Sequence, residues 1–269
     1  MEVTVRDVIK VLEELAPLHL AESYDNAGLL VGHEDQTVER IMLSVDASES
    51  VLKQAAQLAA DLLITHHPLI FHPLMHVTEN DPVGSRVLYL AEHGIALYAA
   101  HTNMDAAPGG NIDYMAEKLG MTDVRPAAEE GEAAILRVGS FESGEAIKAD
   151  NRLSLKDLAA RVKETLNLPY VRVYGDPETV IQRAALCTGS GMSLWETALQ
   201  AGAQAYITGD ITYHRADDAL RAGLSLIDCS HFMSDRLSVE HLFEYLSQIP
   251  EFAGITILKA EEQENYTYL

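Results

Sequence analysis

The chain has 269 residues, of which 48% are apolar, so it can form one large domain or two ordinary ones around a packed core. Asp and Glu number 41 against 19 Lys and Arg, which gives a formal net charge of −22. This charge repels phosphate backbones and anionic lipid surfaces, so nucleic acid and membrane are poor candidates for partners. An anionic ligand would need a local positive centre, such as a bound metal ion.

The cysteine content and the N-terminal segment favour a reducing compartment. Cys187 and Cys229 are the only cysteines and form no CxxC pattern, which excludes a disulfide framework and a cysteine-rich zinc site. The N-terminal MEVTVRDVIKVLEELAPL carries charges where a signal peptide would have a continuous apolar core. No run approaches the roughly 20 apolar residues that span a bilayer. We therefore expect a soluble, cytoplasmic protein.

Apolar periodicity in the first half predicts alternating helices and strands. Val5 to Leu15 follow helical spacing behind Thr4, which is placed to cap the helix. YDNAGLLVG reads as a polar turn before a short strand, and RIMLSVDAS as a second strand. A helix from about Glu49 to Leu58 then leads to the strand DLLIT, and this βαβ order implies parallel strands. The helix GSRVLYLAEHG and the strand IALYAA complete the series.

Histidines and aspartates follow the predicted strands, where ligand sites of parallel α/β sheets lie. These residues are Asp46, His66, His67, His101 and Asp105. A histidine alone at a strand end is usually a capping or surface residue, but this combination is harder to explain in that way. Imidazole nitrogens and carboxylate oxygens without thiolates suit zinc, iron, manganese or nickel, and such sites can leave positions open for water.

Two adjacent histidines pose a geometric problem, because neighbouring residues of a regular strand point to opposite faces. Either His66 and His67 lie in the turn just past the strand, or each serves a different ion. Pro68 favours the first placement, since proline forces the chain out of a regular ladder. Two ions about 3.5 to 4 Å apart would accommodate the second.

The second half of the chain repeats the first. IMLSVDASESVLKQAAQLAADLLITHH aligns without a gap on AALCTGSGMSLWETALQAGAQAYITGD, which places Thr65 on Thr208. GIALYAAHTNMD resembles GLSLIDCSHFMSD with a one-residue slip, and both copies end in His-x-x-x-Asp, the second at His231 and Asp235. The shared order predicts two related α/β halves that arose by internal duplication.

An acidic segment with weak periodicity separates the halves. An exposed loop around Glu129 to Glu132 is the expected boundary, so we predict a first α/β domain over 1–127 and a second over 128–269. Part of the C-terminal region is expected to complete the first domain. The elements predicted beyond the boundary are the strand AILRVGSF, a helix from about Ser154 to Leu166, strands near YVRVYG and RAALCTG, the helix SVEHLFEYLSQ and the last strand GITILKA.

Three stretches have two interpretations each. Ser190 to Ser193 open a predicted helix after a strand, where backbone N–H groups could hold an anion, or they form an ordinary tight turn. Asn26 and Gly28 either approach the candidate metal site or only shape a turn. PLIFHPLMHV, Pro68 to Val77, has more apolar residues than one surface loop needs, and belongs either to the core or to an interface.

Six motifs carry a resemblance to a known family: SYDNAGLLVG, LITHHPLIF, HTNMDAAPGGN, GSGMS, YITGDITYH and SHFMSD. They occur in the order found in the GTP cyclohydrolase 1 type 2 homologues, the Nif-three-like family, which the chain resembles from its first helix to about Leu242. The combination of THHP, HTNMD and TGDxxYH is specific. The resemblance implies two similar, interlocked α/β domains with mostly parallel or mixed sheets, a dinuclear metal centre between them, and a ring-shaped homohexamer.

The family's metal ligands carry over by motif. They would be His66 and His67 from THHP, Asp105 from HTNMD, and His231 with Asp235 from HFMSD, and they would hold two divalent transition-metal ions, zinc, iron, manganese or nickel. Where the family usually has Gly-His-Tyr-x-Ser-Glu, this chain has Ser-His-Phe-Met-Ser-Asp, so Asp235 replaces a bridging glutamate. The shorter side chain can still bridge two ions, with altered spacing, weaker binding of one ion or a different metal.

The leading hypothesis is a metal-dependent hydrolase that acts on a small molecule, for which the family name suggests a purine nucleotide. His101 and Asp46 would orient the attacking water or relay its proton, or would serve only as hydrogen-bonding neighbours of the ligands. The alternative is a non-catalytic, metal-binding oligomeric scaffold or regulatory protein. A plain α/β protein without metal is the third reading.

Overall fold

The computed structural model describes residues 2–128, 131–141 and 153–266, which form a mixed α/β fold with two β-sheets. This confirms the predicted α/β class. The helices are α1 (Val5–Leu15), α2 (Glu49–Gln57), α3 (Gly84–Glu92), α4 (Thr102–Ala106), α5 (Asn111–Lys118), α6 (Leu155–Thr165), α7 (Trp195–Gln200), α8 (Tyr213–Arg221), α9 (His231–Asp235) and α10 (Leu237–Ser247). The strands are β1 (Gly28–Val31), β2 (Arg40–Ser44), β3 (Leu62–Thr65), β4 (Ala96–Ala99), β5 (Thr122–Pro126), β6 (Arg137–Ser140), β7 (Arg172–Tyr174), β8 (Arg183–Leu186), β9 (Ala205–Thr208), β10 (Ser225–Asp228) and β11 (Thr256–Lys259).

The chain divides into two compact units. The first comprises residues up to 108 together with those from 238 onward, and the second comprises residues 109–237. These limits differ from the 127/128 division that the sequence suggests. The C-terminal segment returns to the first unit because β11 pairs in parallel with β2.

The first unit contains a five-stranded sheet in the order β1-β4-β3-β2-β11. Strands β2, β3, β4 and β11 run parallel, as the βαβ pattern predicts, and β1 is antiparallel to β4. Every residue of β3 and β4 is buried, which is typical of strands covered on both faces. The parallel strands therefore deliver the residues that follow them to one edge of the sheet.

The second unit contains a six-stranded sheet in the order β5-β6-β8-β9-β10-β7. Its parallel centre is β8-β9-β10, β7 runs antiparallel to β10, and β6 runs antiparallel to β8. The order β7-β10-β9-β8 matches the order β1-β4-β3-β2 of the first sheet strand for strand. The two sheets differ only in the strands beyond β8 and β2. This correspondence is the one that an internal duplication predicts.

The correspondence extends to individual hydrogen bonds. The Asp61 carboxylate accepts the backbone N–H groups of residues 39 and 40 at 2.8 and 2.9 Å. At the equivalent position of the second unit, the Gln204 side-chain oxygen accepts the N–H groups of residues 182 and 183 at 2.7 and 3.1 Å. The gapless alignment of the two halves therefore has matched contacts as well as matched elements.

Helices α1 and α6 begin in the same way, a match that the sequence alignment does not reach. Thr4 caps α1 and Ser154 caps α6, and each forms a reciprocal capping box with an aspartate three residues later. Each cap residue also forms an isolated antiparallel bridge, Thr4 with Thr37 and Ser154 with Val180. The repeat thus includes the helix that precedes the first strand of each unit.

The region between the halves holds regular structure that the periodicity does not reveal. Helix α5 and strand β5 have no counterpart among the predicted elements, and the predicted strand AILRVGSF is a 3₁₀ turn over Glu132–Ile135 followed by β6. The buried Arg137 of β6 donates to Asp113 of α5 at 2.5 Å, an ion pair that ties the helix to the sheet. Glu129 and Glu130 of the predicted loop lie outside the described residues.

Over the described ranges, no helix is both long enough and apolar enough to cross a membrane.

Candidate metal site

His66 and His67 lie in a bend immediately after β3 ends at Thr65. Their backbone N–H groups donate to the carbonyls of Ser44 at 3.1 Å and Val45 at 2.9 Å, so the bend stays attached to the end of β2. The two imidazole ring centroids are 5.1 Å apart, because the chain has left the alternation of a regular strand. The pair therefore lies in the turn past the strand, as Pro68 predicts.

His101 joins this pair from the next strand. The N–H of residue 100 donates to the Thr65 carbonyl at 2.9 Å, which aligns the end of β4 with the end of β3. The His101 ring centroid is 5.2 Å from that of His66 and 5.5 Å from that of His67. Each of the three histidines offers a ring nitrogen within 4.8 Å of the others, and His66 is buried while its neighbours are partly buried.

Each of these imidazoles has its Nδ1 next to an oxygen acceptor. His66 Nδ1 faces the carbonyl of residue 100 at 3.0 Å, His67 Nδ1 faces Asp46 at 3.0 Å, and His101 Nδ1 faces Asp25 at 2.8 Å. Since a carbonyl or an ionised carboxylate only accepts, Nδ1 carries the hydrogen, and in the neutral ring the lone pair lies on Nε2. This is the arrangement by which proteins orient histidine ligands, so the donor set fits a transition-metal ion.

Asp105 contributes a carboxylate from α4, one turn after His101. Its Oδ2 lies 3.7 Å from His66 Nε2, longer than a hydrogen bond, and the residue is buried. The carboxylate therefore faces the nitrogen that the Nδ1 contact leaves for a ligand bond. The structure brings Asp46, His66, His67, His101 and Asp105 together at one edge of the first sheet.

Asp25 is a site residue that the sequence analysis misses. Its side chain is fully buried, and besides His101 it accepts from the N–H and the hydroxyl of Thr102 at 3.1 and 2.5 Å. Burial raises the pKa of Asp25, but the hydrogen bond and electrostatic interaction with His101, together with the hydrogen bonds from Thr102 and the Asn26 N–H, outweigh it and lower the pKa to about 2. Asp25 reaches the site through the antiparallel pairing of β1 with β4, which places the residues before Gly28 beside those after Ala99. Apolar spacing along the sequence does not reveal this pairing.

Asn26 and Gly28 shape the turn that carries Asp25. The Asn26 amide donates to the Ile70 carbonyl at 2.6 Å, and Gly28 has φ +113°, a left-handed conformation that favours glycine. The turn reading of these two residues is therefore supported by contacts. Asn26 also attaches this turn to the segment that follows the histidine pair.

In the second unit, His231 and Asp235 are one turn apart on the short helix α9. His231 Nε2 lies 3.1 Å from Asp235 Oδ2, and His231 Nδ1 lies 2.6 Å from Asp210 Oδ2. Asp235 is buried, and Ser230 caps the helix by accepting the N–H of Met233 at 3.2 Å. An aspartate from a neighbouring loop thus holds Nδ1 of His231, as Asp25 holds Nδ1 of His101.

The GSG loop packs against the Asp235 carboxylate. Gly189 donates its N–H to the Ser234 hydroxyl at 2.9 Å, and Gly191 donates to the Thr208 hydroxyl at 2.9 Å. Because these N–H groups have internal acceptors, the tight-turn reading of the loop is favoured over the anion site. Gly189 has φ +63°, and a Cβ there would lie 3.1 Å from Asp235 Oδ2.

The fold and the site define a class: α/β proteins built from two related sheets, with histidines and aspartates arranged as a candidate metal site at strand ends. The chain belongs to the Duf34/NIF3 (NGG1p interacting factor 3) family, whose model matches residues 3–265. A Lactococcus lactis relative is 35% identical over 98% of both chains, and a Clostridium perfringens relative is 34% identical over 86% of both. Each carries the name GTP cyclohydrolase 1 type 2 homolog.

Solved structures agree with this assignment. The crystal structure of a hypothetical protein from Staphylococcus aureus superposes with a TM-score of 0.86, at 26% identity and over 100% of both chains. A Bacillus cereus protein related to NIF3 shares the fold with a TM-score of 0.88 over 100% of this chain and 99% of that one. The family that the motifs suggest is therefore confirmed.

We predict that Gly189→Ala displaces the Asp235 carboxylate and that Gly223→Ala does not. Both substitutions put alanine in a left-handed conformation, at a cost of about 1 kcal/mol or more, but nothing lies within 4 Å of a Cβ at Gly223. NMR resonances of the His231 ring should move only in Gly189→Ala, because Asp235 contacts that ring. Equal His231 spectra in the two variants would contradict this account of the loop.

Proposed function

We propose that this protein is a metal-dependent hydrolase that acts on a small molecule, with nucleotide-like compounds among the candidates. The observation that carries the proposal is the set of three imidazoles whose Nδ1 atoms are all engaged by oxygen acceptors. Structural histidines satisfy either nitrogen, whereas neighbouring imidazoles with a common Nδ1–H tautomer are typical of metal sites, where Nε2 would be the ligand atom of His66 and His67. The names of the relatives in the family support the choice of hydrolysis.

The proposed ligands are the residues that the family resemblance implies. They are His66, His67, Asp105, His231 and Asp235, and the proposal assigns them to one dinuclear centre with two divalent ions of zinc, iron, manganese or nickel. The dinuclear arrangement follows from the family resemblance. Mixed imidazole and carboxylate donors without thiolates support this group of metals over soft ones.

Bound divalent ions would supply a Lewis acid and would lower the pKa of the attacking water. The protein's own contribution is orientation. Asp46 holds His67 at Nδ1, which makes Asp46 a positioning residue rather than a proton carrier in contact with water. His101 is held at Nδ1 by the buried Asp25, so its Nε2 is the nitrogen that could accept a proton from the water.

The overall charge restricts the substrate. With a formal net charge of −22, the chain repels long polyanions, and a small anionic substrate depends on the positive charge of the bound ions. A single phosphorylated or carboxylated small molecule satisfies this condition. The proposal therefore favours a compact substrate over a polymer.

Assembly into a homohexamer is part of the proposal and follows from the family resemblance. Phe71, Met75 and Val77 are exposed in the segment after the histidine pair, and association of copies would cover such an apolar surface. Light scattering of the purified chain should give six times the mass of one chain. A monomer would contradict this part of the proposal.

We predict that the purified chain carries about two equivalents of a transition metal. Elemental analysis should show a loss of metal in His66→Ala and in Asp235→Ala, since each removes a proposed ligand. His33→Ala and Asp35→Ala are matched controls, because both residues are exposed and follow β1, which runs from the end of β4 toward its start and so away from His101. Metal content that is low in the parent chain, or equal in all five proteins, would contradict the proposed centre.

Turnover distinguishes the hydrolase from a metal-binding scaffold. We predict that the metal-replete protein hydrolyses a member of a panel of nucleotides and other small phosphorylated or cyclic amide compounds. His101→Ala should keep the metal and lower kcat by about 10²- to 10⁴-fold, the usual contribution of a proton-transferring side chain. His33→Ala should retain full activity.

The remaining outcomes contradict the proposal in separate ways. A metal-replete protein without turnover on the panel would favour the scaffold. Full turnover in His101→Ala would exclude proton transfer by that histidine, and loss of metal in this variant would make it a ligand instead.

A further inference from the structure

Glu262 lies in the C-terminal segment and contacts the end of β2. One carboxylate oxygen accepts the N–H of Val45 at 2.8 Å, and the other accepts the N–H of Asp46 at 3.1 Å. Both N–H groups belong to the turn that follows the last residue of β2. A carboxylate that receives two backbone donors in this way holds the turn in one conformation.

The position of Glu262 is fixed by the sheet. Strand β11 pairs in parallel with β2, and the N–H of Ala260 continues the pairing by donating to the Leu43 carbonyl at 2.9 Å. Gln54 of α2 then holds Glu261 from both sides, by accepting its N–H and donating to its carbonyl, each at 2.9 Å. These contacts bring the Glu262 side chain to the turn.

The same turn carries the residue that orients His67. The Val45 carbonyl accepts the N–H of His67 at 2.9 Å, the Ser44 hydroxyl donates to the Asp46 carbonyl at 3.1 Å, and the Asp46 carboxylate accepts from His67 Nδ1 at 3.0 Å. The turn therefore fixes both the backbone and the ring of His67. The Asp46 side chain is half exposed, so burial contributes little to its position.

We propose that Glu262 is a positioning residue for the metal site, which sets the tautomer and orientation of His67 by fixing the Val45–Asp46 turn. The inference rests on the proposed function only in that His67 is taken as a metal ligand. Without the Glu262 carboxylate, two N–H groups turn to water and the Asp46 carboxylate loses its fixed position. His67 then exchanges between tautomers, and the Nε2 lone pair is present for only part of the time.

The test uses the chain of 269 residues with Glu262→Gln and Glu262→Ala, and Glu261→Gln as the matched control. Glu261 is the exposed neighbouring residue, and its contacts with Gln54 use only its backbone. Long-range proton–nitrogen NMR of the metal-free protein, at a pH where the rings are neutral, reports which ring nitrogen carries hydrogen. His66 and His101 serve as internal controls for correct folding, because their Nδ1 acceptors lie elsewhere.

In the parent chain and in Glu261→Gln, we expect His67 to carry its hydrogen on Nδ1. In both Glu262 variants we expect a mixture of tautomers at His67, with the His66 and His101 signals unchanged. Titration with Zn²⁺ should show affinity about 10- to 100-fold weaker in the Glu262 variants, the usual effect of losing a residue that orients a ligand. Glu261→Gln should bind Zn²⁺ as the parent does.

A His67 tautomer that is the same in the Glu262 variants and in Glu261→Gln would overturn the inference. The outcome for the proposed function is separate. If the parent chain binds no Zn²⁺ while the His67 tautomer still responds to Glu262, the metal centre fails and the positioning role stands. If Zn²⁺ binds the parent and the Glu262 variants equally well with an unchanged tautomer, the positioning role fails and the metal centre stands.

Discussion

The parallel register of β2, β3 and β4 is the constraint on which the candidate site depends. Ser44 pairs with Thr65, and Thr65 pairs with Ala99, so the three strands end in line. Every residue of β3 and β4 is buried, which fixes the register because a slip would expose apolar side chains. The bends that follow these strands therefore emerge side by side, and the histidine rings meet without any long connecting loop.

Acidic and carbonyl oxygens around these rings convert a cluster of histidines into a candidate metal site. Asp25, Asp46 and the carbonyl of residue 100 each engage one Nδ1, and Asp210 does the same for His231 in the second unit. The second unit uses the same kind of contact from a different position, since Asp25 precedes β1 whereas Asp210 follows β9. Part of the strongly acidic composition is thus employed in orienting imidazoles, in addition to its effect on the surface.

The strongly periodic elements and the histidine pair were predictable, because both are local properties of the sequence. Apolar spacing is enough to predict helix α1 behind its Thr4 cap and the strand before His66. Pro68 adds that the histidine pair leaves the regular strand. Asp25 and Glu262 were not predictable in this way, since they reach the site through the antiparallel pairing of β1 and the return of β11. Helix α5 was not predicted because it is short and is anchored by an ion pair between Asp113 and the buried Arg137, two residues far apart in sequence.

Anomalous diffraction from crystals of the metal-loaded protein, recorded at the absorption edge of the metal, tests the central claim most directly. The account predicts peaks about 2.0 to 2.1 Å from Nε2 of His66 and of His67, with each Nδ1 still bonded to its oxygen acceptor. The same measurement gives the number of bound ions. Metal bound elsewhere, or bound to these rings through Nδ1, would contradict the account.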